Sequence, residues 1–254
     1  MIVSNLCHTF KVEYFCVSHT GKCRKNNQDN FYCNGEYLYF RNNGLSKILH
    51  GEKTIKDISV FGVFDGMGGE ECGEMASYLA AECIAGYEFG KKDPEDELIA
   101  YCRAANADIC RYTEEQKLSS MGTTAAILLL DKKRISLCNV GDSRIFRLSR
   151  KKMQQISYDH VSRVTIGKKP PLTQNLGIPE EDLLISPYTS SGNYRDGDIY
   201  LICSDGLTDM LTDSEITEIL SKCHDPGACV ESLISAALEH GGRDNITVIV
   251  CRIM

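Results

Sequence analysis

Aspartates recur at the ends of strongly apolar runs, each beside glycine or asparagine, and this constrains the chain more than any other feature. VFGVFDGMGG places Asp65 at the end of a strand-like run, with Gly66, Gly68 and Gly69 leading into a helix, and YLICSDGL does the same for Asp205. CNVGDSR sets Asp142 between two strand-like runs, GGRDNITVIV sets Asp244 just before the last one, and QDN sets Asp29 after the first. Singly, an Asp-Gly beside a strand is a turn. Together they read differently, because strand ends from separate parts of one sheet system can converge, and converged carboxylates repel unless cations lie between them. Such all-oxygen sites suit magnesium or manganese rather than zinc. A pair of these ions roughly 4 Å apart lowers the pKa of a bridging water and screens a phosphate. Gly66 permits close backbone approach and leaves its carbonyl free as a ligand. Arg24, four residues before Gln28 in GKCRKNNQDN, carries a guanidinium able to bind phosphate oxygens bidentately.

The elements around these aspartates follow from periodicity. Cys72, Met75, Ala76, Leu79, Ala80, Cys83, Ile84 and Tyr87 form one helical face, and Leu98, Cys102, Ala105 and Ile109 form another after Asp93-Pro94. Asp225 and Pro226 predict a capped helix start, with Val230, Leu233, Ile234, Ala237 and Leu238 as its stripe. Thr212 and Glu215 form a capping box. Strands are expected over 12–18, 58–64, 123–130, 135–140, 145–148, 199–203 and 246–251. The order lacks regular β-α-β alternation, which favours an α+β layered fold and one domain. Segments 41–57 and about 159–198 are expected to be irregular.

Bulk properties exclude several classes. No apolar run approaches the ~20 residues that cross a bilayer. MIVSNLCHTFKVEYF has neither the basic start nor the long apolar stretch of a signal peptide, so a cytoplasmic protein is expected. The 13 cysteines include no Cys-x-x-Cys pair and read as buried small hydrophobes in a reducing compartment. A net charge of −7 with only short basic clusters argues against nucleic acid.

The segments Gly21–Asp29 (G-x-x-R-x-x-N-Q-D), Val63–Gly69 (VFDGMGG), Met121–Ala126 (MGTTAA), Asn139–Arg144 (NVGDSR), Cys203–Leu211 (CSDGLTDML) and Gly241–Val250 (GGRDNITVIV) resemble, in this order, the metal-dependent type 2C Ser/Thr protein phosphatases (PPM family) of the compact bacterial type. The resemblance implies a four-layer αββα sandwich of two antiparallel sheets flanked by helices, formed by a single catalytic domain over 1–254. It implies two Mn2+ or Mg2+ ions: Asp65 bridges them, and the Gly66 carbonyl, Asp205 and Asp244 are further ligands. Asp29 matches a residue that orients metal-held water, and Asp142 with Asp205 matches a third-metal site. Arg24 matches the phosphate-binding arginine. The implied chemistry is in-line attack by hydroxide on phosphoserine or phosphothreonine of protein substrates, opposed by a Ser/Thr kinase. A monomer is expected, with no membrane or nucleic-acid partner.

The chain departs from that pattern in places. Gln28 stands where many members have glutamate, Met67 replaces a histidine proposed as general acid, and His19 replaces aspartate and reads as structural. The flap at about 159–198 is expected to be short, with PPLTQNLG matching only its far end. The loop at 41–57 is expected to be long. Rival readings are a cysteine phosphatase built on Cys138 and Arg144 (C-x5-R), a non-catalytic phosphoprotein binder, and a metal-dependent phosphodiesterase acting on a small molecule. Asp142 inside a phosphate cradle, and a strand rather than a helix after Arg144, argue against the first. His160 and His224 are read as structural or exposed.

Overall fold

The computed structural model describes residues 10–67, 72–132, 134–164, 169–222 and 225–254. Gly68, Gly69 and His224 lie outside the described residues. The apolar runs become the inner strands of two antiparallel sheets. In the first, β3 (Leu49–Thr54), β1 (Lys11–His19), β12 (Ile246–Ile253), β11 (Ile199–Cys203), β8 (Arg144–Ser149) and β9 (Lys152–Gln155) lie side by side in that order. In the second the order is β10 (Tyr188–Gly192), β7 (Ile135–Val140), β6 (Ala125–Leu130), β4 (Ser59–Met67) and β2 (Asp29–Cys33), with the short β5 (Gly122–Thr123) pairing the end of β4. The pairing of β1 with β12 joins the two ends of the described chain.

Helices α1 (Gly73–Gly86) and α2 (Pro94–Glu115) cover the second sheet; α3 (Asp205–Thr208), α4 (Asp213–Lys222) and α5 (Pro226–Glu239) cover the first. The result is the expected four-layer αββα sandwich. Strand β6 shows why its sequence is apolar without alternation. Ala126, Leu128 and Leu130 pack between the sheets, while Ala125, Ile127 and Leu129 pack under α1 and α2, so both faces are buried. Burying a leucine side chain contributes about 2 kcal/mol, and both faces of this strand draw on it.

The helix starts follow their local chemistry. The Asp225 carboxylate accepts from the N–H groups of Gly227 (3.3 Å) and Ala228 (3.1 Å). Thr212 and Glu215 bond reciprocally, Thr212 N to Glu215 Oε2 at 2.8 Å and Glu215 N to Thr212 Oγ1 at 3.3 Å. Asp93 caps α2 through the Glu95 N–H. Two expectations need correction. The segments 41–57 and 159–198 are not wholly irregular, because they contain β3 and β10. The run expected over 123–130 divides at Thr124 into β5 and β6.

Candidate functional site

Six separate segments deliver side chains to one cleft at the end of the two sheets. Arg24, Asp65, Gly66, Asp142, Asp205 and Asp244 all line it, together with Gln28, Met67 and the segment 169–172. Asp29 does not line the cleft. It is almost fully buried and sits opposite Asp65 on the paired strands β2 and β4. The sequence-predicted residues are therefore brought together, with Asp29 as a buried layer behind the rest.

Backbone geometry holds Asp65 in place. Its N–H donates to Thr124 Oγ1 at 3.0 Å, and its carbonyl accepts from Thr124 N (2.9 Å) and Thr123 Oγ1 (3.0 Å). Thr124 Oγ1 in turn meets Ser143 Oγ at 2.7 Å, which ties β4 to the loop carrying Asp142. This is the structural work of the MGTTAA segment, to which sequence reasoning gave no role. Gly66 must be glycine, since a Cβ there would lie 2.1 Å from the Gly73 carbonyl and 2.4 Å from that of Gln28. Gly206, beside Asp205, is pressed equally closely, with the Asn245 carbonyl 1.9 Å from where its Cβ would be.

Asn245 joins the other half of the site. Its Oδ1 accepts from Gln28 N at 2.8 Å, and its Nδ2 donates to the carbonyls of Thr20 and Asn26 at 2.9 Å each. The loop bearing Arg24 is thereby fastened to the residue next to Asp244. Arg24 Nη2 reaches Asp244 Oδ2 at 2.7 Å, and about half of the arginine side chain stays open to solvent. Gln28 Nε2 donates to Glu74 Oε2 at 3.2 Å. Ser204 Oγ donates to Asp29 Oδ2 at 2.7 Å and accepts from Thr247 N at 3.0 Å.

The electrostatics are those of crowded acids. Burial, and then Asp205 and Asp244, push the Asp29 carboxyl up to about 7 despite its hydrogen bond from Ser204. Burial and the surrounding aspartates (Asp205 foremost, then Asp29, Asp142 and Asp244) push Asp65 well above the usual carboxylate range. Asp142 and Asp209 are raised by burial and by Asp205, while Lys169 pulls both back. Among the described residues, no three acidic, histidine or cysteine side chains close around a point as a finished metal site. The cluster instead holds an internal cation: the Lys169 ammonium contacts Asp205 directly, lies 3.1 Å from Asp142 and 3.6 Å from Asp209. An ammonium drawn into this cluster shows that the all-oxygen donor set calls for positive charge, and it fits hard divalent ions. Lys169 and Asp209 were missed from sequence. Asp209 lay within a quoted segment, whereas nothing in the sequence fixed Lys169 onto the site.

The remaining candidates fall elsewhere. Cys138 is buried on β7 with its Sγ 3.3 Å from that of Cys102. Hydrogen bonding with Cys102 and burial push its thiol upward, the opposite of what a nucleophilic cysteine needs. Arg144 pairs with Asp159 at 2.7 Å, so the C-x5-R match is not a phosphate loop. His19 Nδ1 accepts from Gly21 N at 2.8 Å and His160 Nδ1 from Gly141 N at 3.3 Å, both structural contacts.

Comparison with known proteins defines the class. A family model described as "Protein phosphatase 2C" matches residues 19–164. The serine/threonine protein phosphatase PstP of Mycobacterium tuberculosis is 30% identical over 97% of this chain and 46% of its own length. The serine/threonine phosphatase stp of Listeria monocytogenes is 31% identical over 74% of this chain and 82% of its own length. The solved catalytic domain of PstP, in complex with two manganese ions, superposes with a TM-score of 0.78 at 30% identity, covering 97% of this chain and 100% of that one. The chain belongs to the protein phosphatase 2C family. It spans about half the length of PstP.

Proposed function

We propose that this chain is a manganese- or magnesium-dependent protein phosphatase acting on phosphoserine and phosphothreonine. The observation that carries the reading is the meeting, at one cleft, of Asp65, Asp142, Asp205, Asp244 and Arg24 from separate segments, with Asp29 behind them. Asp65, Asp205 and Asp244 with the Gly66 carbonyl would hold two ions, and Asp142 with Asp205 would hold a third. When bound, such ions supply positive charge for a phosphate ester and the acidity that turns water into hydroxide near neutral pH.

The chain's own residues do the rest. Arg24, half exposed at the mouth of the cleft, binds phosphate oxygens through its planar guanidinium. Asp29, held by Ser204 and set opposite Asp65 on the paired strands, backs the cleft carboxylates from the buried layer behind them and would orient metal-held water through that layer. Thr123, Thr124 and Asn245 hold the acidic loops in register. We read the chain as one catalytic domain over 1–254 with a short flap at about 159–198, acting as a cytoplasmic monomer against a Ser/Thr kinase. The net charge of −7 supports no nucleic-acid role; no helix among the described residues is long and apolar enough to cross a membrane.

The test is hydrolysis of a phosphothreonine peptide with manganese, before and after excess chelator, alongside Asp65→Asn. Turnover should vanish with chelator, return with metal and be absent in the variant. Turnover that survives chelation refutes the reading. No turnover, with phosphopeptide still bound, would favour the non-catalytic binder, and turnover confined to phosphodiesters would favour the small-molecule enzyme.

A further inference from the structure

The cleft does not end at Met67. On the far side of this residue a second, larger groove of about 1090 Å³ runs between the C-terminal half of α2 and the segment 175–182, and Met67 lines both. The shared wall is built in register with the carboxylate site. Gly66 and Met67 of β4 pair with Thr123 and Gly122 of β5, and Thr123 exchanges both backbone hydrogen bonds with Leu176 (3.0 and 2.9 Å). Two residues along the strand from Asp65 thus lead directly into the groove.

The opposite wall is clamped as well. Asn106, nearly fully buried on α2, accepts from Gly177 N (2.6 Å) and Ile178 N (3.1 Å) and donates to the Ile178 carbonyl (2.9 Å). The groove is thereby preformed, which lowers the ordering cost of anything that docks in it.

Its charge is one-sided. Glu114, Glu180, Glu181 and Asp182 line it and are exposed, and among the described residues none of the four forms an ion pair. The one guanidinium on its lining, Arg111, is engaged by Asp108 at 2.7 Å. The Cys110 thiol, within the same groove, is pushed up by burial and then by Glu181 and Glu180.

We propose that this acidic groove seats basic residues flanking the phosphorylated serine or threonine, so that the preferred substrates are lysine- or arginine-rich phosphoproteins. The proposal rests on the phosphatase reading: with the phosphate at the carboxylate cleft, the neighbouring part of an extended peptide passes Met67 and meets the four acids. Complementary charge then favours encounter and register, and salt weakens it.

The experiment uses the full chain with manganese and three phosphothreonine peptides that differ only in flanking residues: lysine/arginine, alanine or glutamate. A small aryl phosphate, too short to reach the groove, serves as control. The expected result is a kcat/KM for the basic peptide roughly tenfold or more above that for the acidic one, the combined effect of several exposed charge pairs. This preference should shrink in 0.5 M salt, as for exposed charges at roughly that ionic strength. Glu180→Lys/Glu181→Lys should abolish or invert it while leaving aryl phosphate turnover unchanged. Equal rates on basic and acidic peptides from the unsubstituted protein would overturn the groove proposal alone, provided the aryl phosphate is hydrolysed. Hydrolysis of none of the four compounds would overturn the phosphatase reading and the groove with it.

Discussion

Replacing Thr124 by valine should damage the site without touching any carboxylate. Thr124 is fully buried, and its hydroxyl is the acceptor for the Asp65 N–H at 3.0 Å and the partner of Ser143 Oγ at 2.7 Å. Among the described hydrogen bonds the Asp65 N–H donates to this hydroxyl and to no backbone carbonyl, so removing the hydroxyl strands it. Valine keeps the shape and suits a strand, so the cost is almost wholly polar. A stranded buried N–H costs about 1–3 kcal/mol, and losing the Ser143 hydrogen bond adds about 1 kcal/mol. For a chain of this size each kcal/mol lowers Tm by roughly 2–4 °C, so a fall of roughly 4–16 °C is expected. Thr124→Ser retains the hydroxyl and removes one methyl, for about 1 kcal/mol. Urea and thermal unfolding of both variants, in chelator and again in manganese, separates the two effects. The valine variant should be the less stable of the two and should bind manganese more weakly, because Asp65 is no longer fixed. If valine proves as stable as threonine, the hydroxyl does not hold Asp65 and the account of the MGTTAA segment is wrong.

Three further outcomes are expected. Arg24→Ala should raise KM roughly tenfold while changing kcat much less, since a bidentate charge-assisted contact to phosphate is lost; steady-state kinetics with KM and kcat both unaltered would remove Arg24 from the site. Lys169→Ala should tighten manganese binding or add a further ion in a calorimetric titration, because an internal cation no longer competes for Asp142, Asp205 and Asp209; an unchanged isotherm would show that the ammonium and the ions do not share these carboxylates. In the metal-free protein, Asp29 titrates near 7 when folded and near 3.8 when unfolded, so the folded state holds a proton that the unfolded state releases between those values. Stability should therefore fall as pH rises through that window, by on the order of 4 kcal/mol from Asp29 alone. Urea midpoints in chelator that rise from pH 4.5 to pH 7.5 would contradict the sign.

The strands that sequence reading found and those it overlooked differ in one physical respect. Inner strands such as β4, β6, β7, β11 and β12 are buried on both faces and announce themselves as apolar runs. The overlooked strands β3, β9, β10 and β2 are the four outer strands of the two sheets. LHGEKT, KMQQ and YTSSG are polar and only partly buried, as edges must be to discourage pairing with other chains. DNFYC is buried but short, and it begins at the aspartate that the site uses. The helix starts at Thr212 and Asp225 were legible because a cap is a local arrangement of a few residues.

The same distinction separates the legible from the hidden parts of the site. Aspartates at the ends of inner strands could be placed together from sequence, because a sheet brings its strand ends to a common edge and each Asp-Gly marked such an end. The hydroxyls and amides that hold them act across spans no local pattern records: Ser204 to Asp29 across 175 residues, and Asn245 to Gln28 across 217. Lys169 is the extreme case. It reaches Asp205 from outside any named strand or helix, and the residues after it are held by the pairing of Val161 with Leu172 and by the hydrogen bond from Ser162 N to the Pro171 carbonyl. Its place follows from the charge of the cluster and not from any strand or helix of its own. Acids buried this closely, with Asp29 lifted to about 7 by burial and then by Asp205 and Asp244, draw in whatever cation the chain can bring within reach. The carboxylates were therefore predictable from the fold that presents them, while the cation became visible only once their mutual repulsion had a geometry.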